Sequence, residues 1–355
     1  MMKRKNIVTL IVLGFTALGI FLLLPYVQLY LHKTAKTVNT EEVVFFLWPG
    51  TSMEELELQL VEQGVLKENS AFKAIAEYKE LDDNNIGAGK YIIKKRMKIS
   101  HLVNGFKLNA LGNGNGEVEV SVTFNNCRDL EEVSGKVSRF IAADSLELIT
   151  FLKDPVIISK YGFTKQTFPA MFIPNTYNMF WDTDAEQFVQ RMADEFKQFW
   201  TPERNQKAQA MNLTQSKIVT LASIVYAEQS LAKDEWKTIA GLYLNRIRIG
   251  MKLQSDPTFK FCWGRELDKQ QRLYNKHREI DCPYNTYIYA GLPPGPINIP
   301  PAGVVDAVLN HEKHDYLFMC AKANNSGKHN FAKTYTEHQK NAAAFQKWMN
   351  DNNIR

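Results

Sequence analysis

Three kinds of hydrophobic spacing run along this chain, and each predicts a different element. An unbroken apolar run covers residues 7–24 and continues less strictly over 25–31. About twenty apolar residues cross a bilayer as a helix, so a transmembrane segment is expected over residues 7–27. Strict alternation comes next: Val118, Val120 and Val122 interleave with Glu119, Ser121 and Thr123, as in a half-buried strand. Helical spacing dominates the C-terminal half. Ile218, Leu221, Ile224 and Val225 form one stripe. Trp236, Ile239, Ala240, Tyr243, Leu244 and Ile247 form another over residues 234–251, with Lys237, Arg246 and Arg248 largely off it.

Turn and cap residues divide the rest. A strand is expected over 43–47, ended by Pro49-Gly50, then a helix over 53–63 capped by Ser52 with Glu54 and Glu55 in its first turn. Gly64 sits where that helix should stop. A second helix over 70–78, a strand over 90–93 and a third helix over 101–108, capped by Ser100, complete a small module spanning 43–110. The Gly/Asn-rich stretch 111–116 reads as a hinge. A connecting region follows over 117–205, with a helix over 130–140 and core-packing roles for Phe168 and Phe172. A larger mixed region runs over 206–355. Prolines at 293, 294, 296, 300 and 301 predict a stiff extended loop, suited to form a groove wall. A strand over 316–320 and a terminal helix over 336–349 close the chain. The fold class is α+β.

Charge orients the apolar run. Lys3-Arg4-Lys5 precedes it, so residues 1–6 stay in the cytoplasm, 28–42 form a spacer and everything beyond is exported. A signal anchor is preferred over a cleaved signal peptide, since no small-x-small site precedes Lys33. The net charge of +5 is diffuse, with no basic, aromatic-laced run for nucleic acid. Of four cysteines, Cys262 and Cys282 bracket a polar insert. Pairing is permitted in an exported domain, and four buried thiols is the competing reading. No Cys-x-x-Cys supports zinc, and His311 and His314 are three apart where the metalloprotease pattern needs four. No metal or cofactor is expected.

One acid stands out. Continuing the Leu221–Ile224–Val225 stripe by a turn lands on Glu228. A carboxyl at the end of an apolar helix face is desolvated, which favours its neutral form. A carboxyl kept protonated can donate to a leaving oxygen, as glycosidic cleavage requires.

The company of Glu228 sharpens this reading. Asn245-Arg246-Ile247-Arg248-Ile249-Gly250-Met251 is followed by Leu253-Gln254-Ser255-Asp256-Pro257-Thr258, then Pro283-Tyr284-Asn285-Thr286-Tyr287 and Gly291-Leu292-Pro293-Pro294-Gly295-Pro296. In order and spacing this set resembles the endolytic murein transglycosylase (YceG-like) family over nearly the whole chain. The resemblance implies a LysM-like module over 43–110, either glycan-binding or a rigid spacer. It also implies a peptidoglycan lytic transglycosylase that cleaves the MurNAc-β-1,4-GlcNAc bond within nascent strands, leaves a 1,6-anhydro end and acts near peptidoglycan synthases. Glu228 matches the family's catalytic glutamate and Tyr284 a position near the scissile bond. Gln254, Asp256, Asn285 and His329 are implied substrate contacts. Departures occur at Asn175, where the family usually has an acid, at Tyr226, where it often does, and in Ser326-Gly327-Lys328-His329-Asn330-Phe331, which lacks one family glycine.

Ordinary glycosidases need two carboxylates; a lytic enzyme needs one, because the substrate's own C6 hydroxyl attacks C1. Asp256 is the best second carboxylate, although its place before Pro257 suits a turn. Glu235 and Asp281 read as solvated. A non-catalytic peptidoglycan-binding scaffold and a hydrolytic muramidase are the alternatives.

Overall fold

The computed structural model describes residues 34–267 and 275–352, together with residues 13, 16, 19 and 30. The expected membrane segment over 7–27 therefore falls almost wholly outside the described residues. Among those described, no helix is long and apolar enough to cross a membrane. The chain divides into two compact units, one reaching Ser121 and including 178–183, the other comprising 122–177 and 184–355.

In the first unit, strands β1 (Val43–Leu47) and β2 (Gly89–Ile93) pair antiparallel, Val43 opposite Ile93 and Leu47 opposite Gly89. Helices α1 (Met53–Glu62) and α2 (Phe72–Tyr78) lie between them in sequence, and α3 (Ile99–Phe106) follows. This is the strand–helix–helix–strand order read from the sequence. Alternation turns Phe45 and Leu47 inward onto Leu56, Leu60, Phe72 and Phe106. Ser52 and Glu55 form a reciprocal capping box, and Gly64 takes the left-handed conformation at φ +68° just past α1. Ser100 does not cap α3: the helix starts two residues earlier than expected, at Ile99 after Lys98, with no side-chain cap. Burial of Ile99 and Leu102 decides that start. The Gly/Asn-rich stretch folds back on its own unit, Gly116 N–H donating to Gly105 O (2.8 Å) and Val118 N–H to Lys90 O (2.8 Å).

The second unit is mostly helical, with small two-stranded pairings. Strands β3 (Val120–Phe124) and β4 (Asn175–Met179) pair with each other. Helices α4 (Leu130–Val137), α5 (Ser145–Leu152) and α6 (Pro155–Lys160) are each capped by an aspartate, at 129, 144 and 154. Then come α7 (Ala185–Phe199), α8 (Pro202–Ala210), α9 (Gln215–Glu228), α10 (Trp236–Arg248), α11 (Asp256–Trp263) and α12 (Ala302–Leu309). Strands β5 (Phe318–Ala321) and β6 (His329–Ala332) pair antiparallel before α13 (Tyr335–Asp351). Phe168 and Phe172 lie in the core, as expected.

Helix α9 is the core of this unit. Every residue from Ile218 to Val225 is buried, polar Thr220 and Ser223 included. Helices α10 and α12 pack against it. A helix apolar on all sides has no solvent face, so the single stripe in the sequence understated its enclosure. The proline-rich loop is tied to the middle of α9. Ile297 N–H donates to Ser223 Oγ (3.0 Å) and Asn298 Nδ2 to Ser223 O (2.7 Å). It therefore braces the helix and does not line the cleft around Glu228.

Cys262 and Cys282 form a disulfide, with Cα atoms 6.1 Å apart and a sequence separation of 20. This settles the alternative left open by the sequence; Cys127 and Cys320 stay free. By loop-closure entropy such a bridge contributes up to about 3 kcal/mol. A Cys262→Ser/Cys282→Ser protein should melt at lower temperature than the oxidised protein and be insensitive to reductant, as read by thermal denaturation with and without dithiothreitol.

Candidate active site

Glu228 is the last residue of α9. By surface exposure it is half-buried, yet its carboxyl is enclosed enough that desolvation is the largest influence on its acidity. Two hydroxyls donate to the same oxygen, Oε1: Tyr243 from α10 at 2.7 Å and Ser255 from the loop before α11 at 2.5 Å. Both bonds favour the carboxylate. Burial outweighs them, reinforced by the negative charge of Asp256, and holds the Glu228 pKa above the usual carboxylate range. No described residue hydrogen-bonds Oε2. With Oε1 accepting from two donors, the hydrogen of the neutral form belongs on Oε2.

That cleft has a volume of about 410 Å³, and its lining includes Glu228, Gln254, Asp256, Arg278, Tyr287 and His329. The elements that place these side chains are cross-braced. Arg246 on α10 is buried; its Nε donates to Leu317 O (2.6 Å) and its Nη1 to Leu253 O (2.5 Å), joining the helix to the strand β5 side and to the loop before α11. Close contact here requires glycine at 241, where a Cβ would stand 2.3 Å from Glu312 O. Gln254 sits at φ +49°, an uncommon left-handed conformation for a non-glycine residue. It is held there as its N–H donates to Thr286 O (3.1 Å) and the next N–H, of Ser255, to Thr286 Oγ1 (3.0 Å). Backbone strain of this kind gathers where side chains must be aimed. Here it presents Gln254 to the cleft and Ser255 to Glu228.

Asp256 is the first residue of α11, not part of an isolated turn; Pro257 occupies the second position, which needs no backbone N–H. Its carboxylate receives the Tyr287 hydroxyl at 2.5 Å and pairs with Arg278 at 3.3 Å. Arg278 also lies over the Tyr287 ring, 4.9 Å from its centroid.

The structure brings Glu228, Gln254, Asp256 and His329 together and leaves Tyr284 and Asn285 out. Tyr284 packs on Phe261, ring centroids 4.6 Å apart, against the hydrophobic core, and does not line the cleft. Asn285 is fully buried and braces its own loop. Its Nδ2 donates to Arg278 O and Ile280 O, both at 2.9 Å, and its Oδ1 accepts from Tyr287 N–H at 3.0 Å. A side chain without exposed surface offers a ligand nothing directly. Tyr243 and Tyr287 supply the phenols instead.

Glu235 corrects the expectation of a solvated acid: it is 5% exposed and accepts from His329 and Gln229. Asp281 is exposed, as read. The His311–His314 pair is not arranged for metal, because both His314 ring nitrogens face backbone, Thr238 O at 2.9 Å and Tyr316 N–H at 3.0 Å.

The comparisons agree with this architecture. The sequence model of the YceG-like family matches residues 45–344. An endolytic murein transglycosylase of Bacillus subtilis is 27% identical over 323 residues, covering 86% of this chain and 84% of that protein. An endolytic murein transglycosylase of Streptococcus pneumoniae serotype 2 is 26% identical over 317 residues, covering 83% of this chain and 56% of the relative, so the chain spans little more than half of that protein. The crystal structure of a yceG-like protein from Listeria monocytogenes superposes with a TM-score of 0.54 at 24% identity, over 85% of this chain and 99% of that one, a likeness of fold. A match over most of the chain, in a fold of the same kind, establishes that this protein belongs to the YceG-like family.

Proposed function

We propose that the cleft around Glu228 is the active site of an endolytic peptidoglycan lytic transglycosylase. It cleaves the MurNAc-β-1,4-GlcNAc bond and leaves a 1,6-anhydro-MurNAc end. The observation that carries this reading is one carboxyl lining a polar cleft: half-buried Glu228, its pKa raised by desolvation, with two hydroxyls donating to Oε1 and no described residue bonded to Oε2. The names of the Bacillus and Streptococcus relatives support it.

The reaction follows from the geometry. Glu228 gives its Oε2 proton to the glycosidic oxygen, and the C1–O bond to the leaving sugar breaks. The two hydroxyl donors on Oε1 stabilise the carboxylate left behind, as preorganised donors do at a developing anion. That carboxylate, desolvated and therefore strongly basic, takes the proton of the C6 hydroxyl as O6 bonds to C1. Glu228 ends protonated again, so the cycle needs no second acid.

Asp256 favours a second reading, a hydrolytic muramidase, because it is a carboxylate in the same cleft. Its engagement by Tyr287 and Arg278 suits an electrostatic and orienting role better than a nucleophile. A non-catalytic scaffold is the third. Mass spectrometry of glycan strands digested by the purified protein separates them: anhydro ends support the lytic reaction, reducing ends the hydrolase, and no new ends the scaffold.

Tyr243→Phe tests the donor pair. Loss of a bond that favours the carboxylate raises the Glu228 pKa further, so the alkaline limb of the pH–activity profile should move upward. The maximal rate should fall about 10- to 100-fold, in the range for one lost donor to a developing anion.

The cellular setting belongs to the same proposal. A signal anchor over residues 7–27 places both units on the exported side of the cytoplasmic membrane, with periplasmic access to nascent strands and their synthases. The Lys3-Arg4-Lys5 cluster and a disulfide at Cys262–Cys282 support export. The βααβ module of the first unit serves as a LysM-like spacer or glycan contact.

A further inference from the structure

We propose that Glu235 is a positioning residue that fixes the tautomer of His329, leaving His329 Nε2 as a hydrogen-bond acceptor for a donor group on the sugar. The proposal rests on the lytic reading of the cleft and adds a residue that the sequence placed in solvent.

Three donors converge on the buried Glu235 carboxylate. His329 N–H reaches Oε1 at 2.9 Å, His329 Nδ1 reaches Oε2 at 2.8 Å and Gln229 Nε2 reaches Oε2 at 3.1 Å. A carboxylate only accepts, so Nδ1 carries the hydrogen and the neutral ring keeps its lone pair on Nε2. This is how an acid orients a catalytic or metal-bound imidazole. The neighbours hold the arrangement rigid. Gln229 directly follows Glu228; its Nε2 also donates to Gly327 O (2.8 Å) and its Oε1 accepts from Leu231 and Ala232 N–H at 3.1 and 2.9 Å. Trp236 Nε1 donates to Gln229 O at 2.6 Å. The end of α9 and the start of β6 are thus fixed to each other, and His329 lines the cleft that holds Glu228. Of the other cleft groups, Arg278 and the Glu228 proton are donors, Gln254 can donate or accept, and the Asp256 carboxylate is engaged by Tyr287 and Arg278. An acceptor at Nε2 complements a sugar hydroxyl or an acetamido N–H, both of which an N-acetylated sugar carries.

An amide in place of the Glu235 carboxylate cannot serve all three donors. With its oxygen toward His329 N–H, its NH2 faces Nδ1, and the ring must move its hydrogen to Nε2. The test uses the full-length protein carrying 15N-histidine, with the His329 signals identified by their loss in His329→Asn. In the unmodified protein Nδ1 should have the protonated shift and Nε2 the unprotonated one; in Glu235→Gln the two should exchange. Anhydro-end release by Glu235→Gln should fall roughly 10²-fold in kcat, the scale of a misplaced reacting group, with the melting temperature reported alongside. His329→Asn guards against a variant that fails to fold, because its Nδ2 replaces the Nδ1–H bond to Glu235 but nothing replaces Nε2; it too should lose kcat. If its deficit disappears on N-deacetylated strands, the donor is the acetamido N–H; if it persists, a hydroxyl. Hydrogen on Nε2 in the unmodified protein, or full kcat in either folded variant, overturns the proposal. Should the unmodified protein form no anhydro ends, the lytic reading fails, and the nitrogen shifts still decide the tautomer.

Discussion

Glu228→Gln protein should fold normally and release no anhydro ends, a loss of at least ~10²- to 10⁴-fold if general acid–base catalysis is the only term removed. The substituted amide keeps an oxygen to accept from Tyr243 and Ser255 but offers no acidic proton at the second position. The same variant should reverse a stability penalty. Because the folded pKa of Glu228 is raised by burial, the folded protein holds a proton that the unfolded chain has released. Its contribution is complete below the unfolded glutamate pKa and is lost as pH rises through the folded one. The melting temperature of Glu228→Gln should therefore gain on the unmodified protein with rising pH. Calorimetry of the pair across pH measures this; a difference that stays constant would contradict burial of the charge.

Arg246→Leu should have the largest effect on stability. The substitution leaves Leu317 O and Leu253 O without their donor in a buried setting. At about 1–3 kcal/mol for each of the two orphaned acceptors, roughly 2–6 kcal/mol is expected. Leu253 leads directly into Gln254 and Ser255, so release of that carbonyl also loosens the Ser255 bond to Glu228 and activity should fall with it. Arg246→Lys should recover only part, because one ammonium cannot span two carbonyls as a guanidinium does. Urea denaturation together with end-group assay reads both effects.

What the sequence made legible follows the range of each interaction. Most local signals were accurate: the cap at Ser52, the stop at Gly64 and the alternation through Val122 depend on neighbours within a few residues, although the cap read at Ser100 gave way to burial of Ile99 and Leu102. Glu228 was legible because an acid interrupted a helical apolar stripe. Long-range partners were not. Tyr243 read as one more core aromatic, since nothing local announces that its hydroxyl meets an acid fifteen residues away. Arg246 read only as lying largely off the apolar face, because its partners are backbone carbonyls invisible to residue type. Ser255 lay inside a matched motif, the one signal that could have found it. Tyr284 and Tyr287 differ by three positions in a loop without periodicity, and only the packing of Tyr284 on Phe261 decides which phenol meets the cleft.

The central claim concerns where one proton sits. Infrared difference spectra between the unmodified protein and Glu228→Gln, recorded while pH is raised, isolate the carbonyl stretch of this single carboxyl. A carboxylic-acid band that persists well above the pH at which ordinary glutamates ionise is the predicted result. A band that titrates within the ordinary glutamate range, or only the carboxylate signature throughout, would contradict the account.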